Sequence, residues 1–209
     1  MQRLIERLGR GVVVIAAAGL AAAPMAQAQE GPEALVKRVS EDVIATIKAD
    51  PQVQAGNQAR IREVMESKLA PNFDFARMTA LAMGRNWRAA TPEQQQRLTD
   101  EFRTLLVRTY SGALTKYRDE VIEYKPLRAN PADTDVTVRT AVLKPGGAPI
   151  QIDYSMGRTV AGWKAYDVIV GGVSLVTNYR DEFNEQIRNG GVDGLVKVLA
   201  EKNKGATAK

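Results

Sequence analysis

The sequence predicts an α+β fold in which helices wrap around one curved antiparallel sheet of about four strands. Apolar residues recur at three- and four-residue spacing on both sides of a central stretch, which itself alternates in short runs separated by turn residues. Strands joined by short turns form an antiparallel meander. The order of helices, then strands, then helices places the helices against one face of that sheet.

Residues 1–28 have the pattern of a cleaved export signal. Arg3, Arg7 and Arg10 precede an uncharged apolar run, and Ala26-Gln27-Ala28 has the small residues of a signal-peptidase site. The apolar run of about 13 residues is short against the roughly 20 that span a bilayer. We therefore expect an exported protein with one domain over residues 29–203 and a polar tail over residues 204–209.

Four helices are predicted before the sheet, at residues 32–48, 57–69, 74–83 and 91–117. Asp50-Pro51 ends the first, Gly84 ends the third, and Thr91-Pro92-Glu93 begins the longest. The longest helix carries an apolar stripe over about five turns, so it requires a broad surface to cover.

The predicted strands cover residues 120–127, 135–143, 150–156 and 163–170, with Gly157 and Gly162 bracketing the last turn. The pattern then returns to helix after Gly171-Gly172, with Ser174 as the capping residue. We expect this helix to end near residue 188, a turn at residues 189–191, and a final helix over residues 192–202. Arg139 and Asp153 are expected to pair across two strands.

Histidine and cysteine are absent from the sequence. Their absence excludes Ser-His-Asp and Cys-His nucleophilic sites, zinc sites built on imidazole or thiolate, and thiol redox chemistry. No serine has the Ser-x-x-Lys spacing of a Ser-Lys enzyme. Basic residues are scattered, so we expect no nucleic-acid partner. The prediction is a protein that is not an enzyme and needs no cofactor.

Two ordered groups of motifs carry a family resemblance. The first contains Phe73-Asp74-Phe75, Gly84-Arg85-Asn86-Trp87-Arg88 and Ala90-Thr91-Pro92-Glu93-Gln94. The second contains Tyr166-Asp167-Val168, Gly172-Val173-Ser174-Leu175, Asn178-Tyr179-Arg180 and Gly190-Gly191. With this order and spacing, the sequence from about residue 32 to residue 202 resembles the MlaC family, the periplasmic phospholipid carriers of the Mla lipid-transport system, also called toluene-tolerance proteins.

The resemblance implies a periplasmic protein with an apolar cavity between sheet and helices and with phospholipid as its cargo. It also implies docking to an inner-membrane MCE-domain protein of an ABC transporter complex and to an outer-membrane lipoprotein–porin complex. Tyrosines at residues 117, 124 and 154 suit the mouth, because a phenol joins an apolar body to a polar tip. The residues expected to line the cavity, as a set, are Leu81, Met83, Phe102, Leu106, Tyr110, Tyr117, Tyr124, Val138, Ile152, Tyr154, Val168 and Val173.

For each residue of that set, packing in an ordinary filled core is an equally good interpretation of the sequence. Two other functions also stay open. One is a periplasmic adaptor or chaperone that uses the same groove for a peptide or for the acyl chains of a lipoprotein. The other is a lipid-modifying enzyme that uses a Ser-Lys pair or carboxylates.

Overall fold

A computed structural model describes residues 30–114, 121–144 and 146–205. The export-signal prediction and Tyr117 lie outside these residues. The predicted helices before the sheet are present, except that the second has two parts and that a short helix, α2, which was not predicted, precedes it. The α-helices are α1 (Pro32–Ala49), α2 (Pro51–Gln54), α3 (Gln58–Val64), α4 (Phe75–Met83), α5 (Pro92–Leu114) and α6 (Leu175–Gly205). A π-helical turn (Met65–Leu69) continues α3, and single 3-10 segments (Ala70–Asn72 and Gly84–Ala89) flank α4.

Side-chain caps explain where several helices begin. The Asp74 carboxylate accepts a hydrogen bond from the Arg77 amide at 2.9 Å, and the Ser174 hydroxyl accepts one from the Thr177 amide at 3.0 Å. Thr91 and Gln94 exchange side-chain and backbone hydrogen bonds at the start of α5, which forms a capping box. Each bond satisfies an amide that has no partner within its helix.

The sheet is a five-stranded antiparallel meander in chain order. The prediction of about four strands is confirmed, and a two-residue fifth strand follows the Gly171-Gly172 turn. The prediction that Gly157 begins a turn is wrong, because the third strand continues through it to Thr159. The strands are β1 (Val121–Tyr124), β2 (Asp135–Leu143), β3 (Ile150–Thr159), β4 (Gly162–Val170) and β5 (Val173–Ser174).

A bulge in β4 determines which side chains face the helices. Ser155 lies opposite Asp167 and Met156 lies opposite Ala165, so Tyr166 is an extra residue in β4. One extra residue shifts the alternation of the side chains and increases the local twist. As a result, Ala165 before the bulge and Val168 after it face the same side of the sheet.

The final helical region differs from its prediction. Residues 189 and 190 are helical, and the break occurs at Gly191 alone, where φ is 67° and ψ is −170°. This backbone conformation favours glycine because it has no Cβ. The two halves of α6 therefore join without a separate turn, and the second half continues to Gly205.

Two buried clusters flank the inner face of the sheet. Leu35 and Val36 of α1 pack on Val138, Met156 and nearby strand residues. A second cluster joins α4, α5 and α6 around Phe102, whose ring meets the rings of Tyr179 and Phe183 edge-on, with centroids 5.0 Å apart in both pairs. Val43 and Ile47 of α1 belong to a third cluster with α2 and α3, and residues of all three clusters line the site described next. None of the helices within the described residues is long and apolar enough to cross a membrane.

Candidate functional site

A cavity of about 230 Å³ lies between the inner face of the sheet and the helices, and the empty space reaches about 1180 Å³ when its opening to solvent is included. Helices α1, α4 and α5, the π-helical turn and strands β1 to β4 all contribute to its wall. The lining residues are Ser40, Val43, Ile44, Ile47, Met65, Leu69, Ala70, Phe73, Phe75, Met78, Leu106, Val107, Tyr110, Ile122, Thr140, Val142, Ile152, Tyr154, Val168, Val170 and Leu175.

The wall of the cavity is apolar, and none of the described lining residues is charged. Thr140 is buried in the wall, but its hydroxyl donates to the Ile152 carbonyl oxygen at 2.8 Å. Tyr110 is hydrogen-bonded to Tyr179 behind the wall, and burial raises the pKa of both phenols. Because these polar groups already have partners within the protein, they do not require water or a polar ligand in the cavity.

Five of the predicted lining residues are brought together at this cavity. They come from α5, β3 and β4, and they are Leu106, Tyr110, Ile152, Tyr154 and Val168. Tyr154 and Val168 lie directly opposite each other on neighbouring strands. The long helix and the inner sheet face therefore form opposite walls of the cavity, which is the arrangement that the family resemblance implies.

The structure places the other described candidates elsewhere. Met83 and Phe102 are fully buried in the cluster of α4, α5 and α6, and Leu81 packs against that cluster. Val138 is buried beneath α1, and Tyr124 packs beside it. Val173 is 59% exposed on β5. These six side chains are outside the cavity wall because filled core or solvent, and not empty space, surrounds them.

Sequence reasoning missed much of the helical wall. Ile44 and Ile47 belong to the apolar stripe of α1, which the sequence shows clearly, but a stripe does not reveal whether it covers a filled or a hollow interior. Met65 and Leu69 reach the cavity from the π-helical turn. A π-helical turn has no reliable sequence signal, so its contribution could not be predicted.

One residue of the cavity wall is exposed to solvent at one end of the sheet. Val170, the last residue of β4, lines the cavity and is 39% exposed. The adjacent start of α6 is held by Asp167, whose carboxylate accepts hydrogen bonds from the Ser174 hydroxyl at 2.5 Å and from the Val176 amide at 3.1 Å. This anchor fixes the position of Leu175 at the edge of the cavity wall.

The described residues of this wall include no carboxylate, amine or guanidinium group. The described residues contain no group of three or more acidic, histidine or cysteine side chains placed to hold a metal ion. Arg139 and Asp153 form the predicted cross-strand pair, with Nε and Oδ2 3.9 Å apart, on the opposite face of the sheet. Sheet, helices and uncharged cavity together define an α+β protein with an internal site for an apolar ligand.

The comparison with protein families identifies the particular family. The model of the MlaC protein family matches residues 37–201, and the chain belongs to this family. The resemblance carried by the sequence motifs is therefore confirmed.

Two curated relatives match most of the chain. The toluene tolerance protein Ttg2D of Pseudomonas putida is 27% identical over 192 residues, which cover 91% of this chain and 87% of the relative. The intermembrane phospholipid transport system binding protein MlaC of Haemophilus influenzae is 21% identical over 177 residues, with 83% of each chain covered.

A solved structure supports the fold. The phospholipid-binding protein of Ralstonia solanacearum, determined in complex with a phospholipid, is 44% identical and superimposes with a TM-score of 0.78. The match covers 84% of this chain and 98% of that protein. The fold prediction of helices around one curved antiparallel sheet is thus confirmed by a close structural counterpart.

Proposed function

We propose that this protein carries a phospholipid, with acyl chains in the cavity between sheet and helices and the head group near solvent. The observation that carries the proposal is the uncharged, apolar cavity, whose wall includes the partly exposed Val170. It is supported by the 44% identical Ralstonia protein, whose structure contains a phospholipid. In this proposal, Leu106, Ile152 and Val168 contact the acyl chains from opposite walls.

The energetics favour a binding protein without chemistry. Burial of an acyl chain is worth about 0.8 kcal/mol per methylene, so two ordinary chains gain roughly 20 kcal/mol or more. A bilayer provides the same gain, so a carrier competes only if its cavity is apolar and dry. The hydroxyl groups of Thr140 and Tyr110 have hydrogen-bond partners within the protein, which favours a dry cavity wall. No reacting side chain is needed for such exchange.

The proposal extends to transport between two membranes. Residues 1–28 have the pattern of an export signal, which would direct the chain to the periplasm. The Haemophilus relative is named as the binding protein of an intermembrane phospholipid transport system. By family resemblance, the exchange partners would be an inner-membrane MCE-domain protein and an outer-membrane lipoprotein–porin complex.

Photocrosslinking in cells tests what occupies the cavity. A benzophenone amino acid at Val168 faces the cavity, whereas the same group at Val160, which is fully exposed, provides the matched control. We expect light to attach a phospholipid at Val168 and much less at Val160. A polypeptide attached at Val168 without lipid would contradict the proposal and favour the adaptor alternative.

A pulse of labelled phospholipid tests the transport step. In cells, label made at the inner membrane should appear on the soluble carrier and then leave it as label reaches the outer membrane. The Val168→Trp variant, with less space in its cavity, should carry less label at every time point. A label that binds the carrier and never leaves it during the chase would contradict a shuttle.

A further inference from the structure

Exposed aliphatic side chains are concentrated at one end of the sheet. Ile150 is 43% exposed, Val170 is 39% exposed and Val173 is 59% exposed. Val170 ends β4 opposite Val173 of β5, and Ile150 begins β3 two residues before Ile152, which is the partner of Val170. We call Ile150, Val170 and Val173 the lip.

The lip is continuous with the cavity. Ile150 lies opposite Val142, and Val170 lies opposite Ile152, and both of these partners line the cavity. Val170 belongs to the lip and to the cavity wall at once. Because alternate residues share a face, Ile150 and Ile152 point to the same side of the sheet. The lip therefore continues the apolar surface of the cavity wall to the solvent-exposed edge of the sheet.

The turns that carry the lip contain few charges. Lys144, Gly146, Gly147, Ala148 and Pro149 precede Ile150 and are exposed, and Gly171-Gly172 joins β4 to β5. Within the described part of these two turns, Lys144 is the one charged residue, and neither turn contains an acid. The opposite end of the sheet differs, because Arg128, Asp133 and Asp135 meet there around a polar pocket.

We propose that the lip is a membrane-docking surface that inserts shallowly into the interface of a phospholipid bilayer, with Lys144 against anionic head groups. This inference rests on the proposed function, since the docked lip would let acyl chains pass from the bilayer to the cavity without crossing water. Exposed aliphatic side chains beside a cation, with no acid among them, are the chemistry that such an interface accepts. A polypeptide partner is the competing occupant, which the experiment must separate.

Three exposed positions allow a matched test. Val173→Asp and Ile150→Asp place a charge on the lip, whereas Val160→Asp places the same charge at the fully exposed turn between β3 and β4. All three side chains are exposed, so thermal unfolding should be similar to that of the wild type. The probe is a vesicle of phosphatidylethanolamine and phosphatidylglycerol that contains a fluorescent phospholipid.

Uptake of the fluorescent lipid by delipidated protein is the main measurement. We expect Val173→Asp and Ile150→Asp to slow uptake and to reduce vesicle flotation by about tenfold or more, because a carboxylate resists transfer into the interface. Val160→Asp should match the wild type. Lys144→Glu should weaken flotation with these vesicles and have little effect with vesicles of neutral phosphatidylcholine.

Three results would overturn the proposal. The first is uptake by Val173→Asp as fast as that of Val160→Asp. The second is normal uptake from vesicles combined with a defect only when a membrane protein supplies the lipid, because the lip would then dock a polypeptide. The third is equal flotation of wild type and Lys144→Glu on anionic vesicles.

Lipid content after purification separates this proposal from the carrier function. If the lip alone is misassigned, wild type and all variants still contain phospholipid when purified from cells. If the carrier function is wrong, none of them contains it.

Discussion

Filling the cavity from the sheet side should weaken lipid binding while leaving the protein folded. Val168 is half-buried on β4, lines the cavity and lies opposite Tyr154. In Val168→Trp, the indole would occupy part of a space of about 230 Å³. If it displaces three or four methylenes at about 0.8 kcal/mol each, the loss is about 2.4–3.2 kcal/mol, or roughly 60- to 220-fold in affinity.

The cost to folding should be small. Added bulk in a filled core destabilises a protein by typically about 1–3 kcal/mol. Val168 faces empty space, so we expect a loss at or below the lower end of that range. Thermal unfolding of the delipidated variant measures this loss of folding stability separately from lipid binding.

The assay is a titration of delipidated protein with a fluorescent phospholipid. Val160→Trp provides the control, because it adds the same indole at a fully exposed turn. The control should bind as the wild type does. Unchanged affinity in Val168→Trp would show that Val168 does not contact the lipid and would refute the assignment of this wall.

Three further predictions follow from the same structure. Gly172 has a φ of 85°, which a residue with a branched side chain adopts only with strain. Gly172→Val should therefore lower the free energy of unfolding by about 1–2 kcal/mol and the Tm by about 2–8 °C. An unchanged Tm would contradict this. Phe102→Ala should lower the free energy of unfolding by about 3–5 kcal/mol, because Phe102 is fully buried between two rings. A loss below about 1 kcal/mol in urea unfolding would contradict its place in the core. Burial raises the pKa of four tyrosines, so the folded state holds their protons more tightly than the unfolded chain does. The Tm should therefore be constant up to about pH 9 and fall above about pH 10. A Tm that rises above about pH 10 would contradict this. The four tyrosines are Tyr110, Tyr124, Tyr166 and Tyr179.

Local signals predicted the elements of this fold well. Thr91-Pro92 begins α5, Asp74 begins α4 and Gly84 ends it, as expected from capping chemistry and glycine conformation. The alternating pattern of β2 gives its bounds at Asp135 and Leu143. These features can be predicted from the sequence because each depends on residues within a few positions of one another.

The cavity wall could be predicted only in part, because it depends on distant contacts. Phe102 and Leu106 lie one turn apart on the same stripe of α5, yet Phe102 packs between Tyr179 and Phe183 of α6 while Leu106 faces the cavity. Periodicity identifies the buried face of a helix but not what that face meets.

Backbone irregularities caused the remaining differences. The extra residue Tyr166 shifts the alternation within β4, so that a simple period of two assigns one half of the strand to the wrong face. Gly157 lies in a strand rather than a turn, and the Arg77 guanidinium occupies the space that a side chain there would need, since a Cβ would be 2.5 Å from Nη1. Such packing against a residue 80 positions away has no local signature.

Lipid content is the most direct test of the central claim that the cavity holds phospholipid. The mature protein, purified without detergent from a bacterial periplasm, would be extracted with organic solvent, and the extract would be analysed by mass spectrometry with the protein concentration measured in parallel. We predict roughly one phospholipid molecule per chain. A well-folded protein that consistently contains no phospholipid would contradict the account.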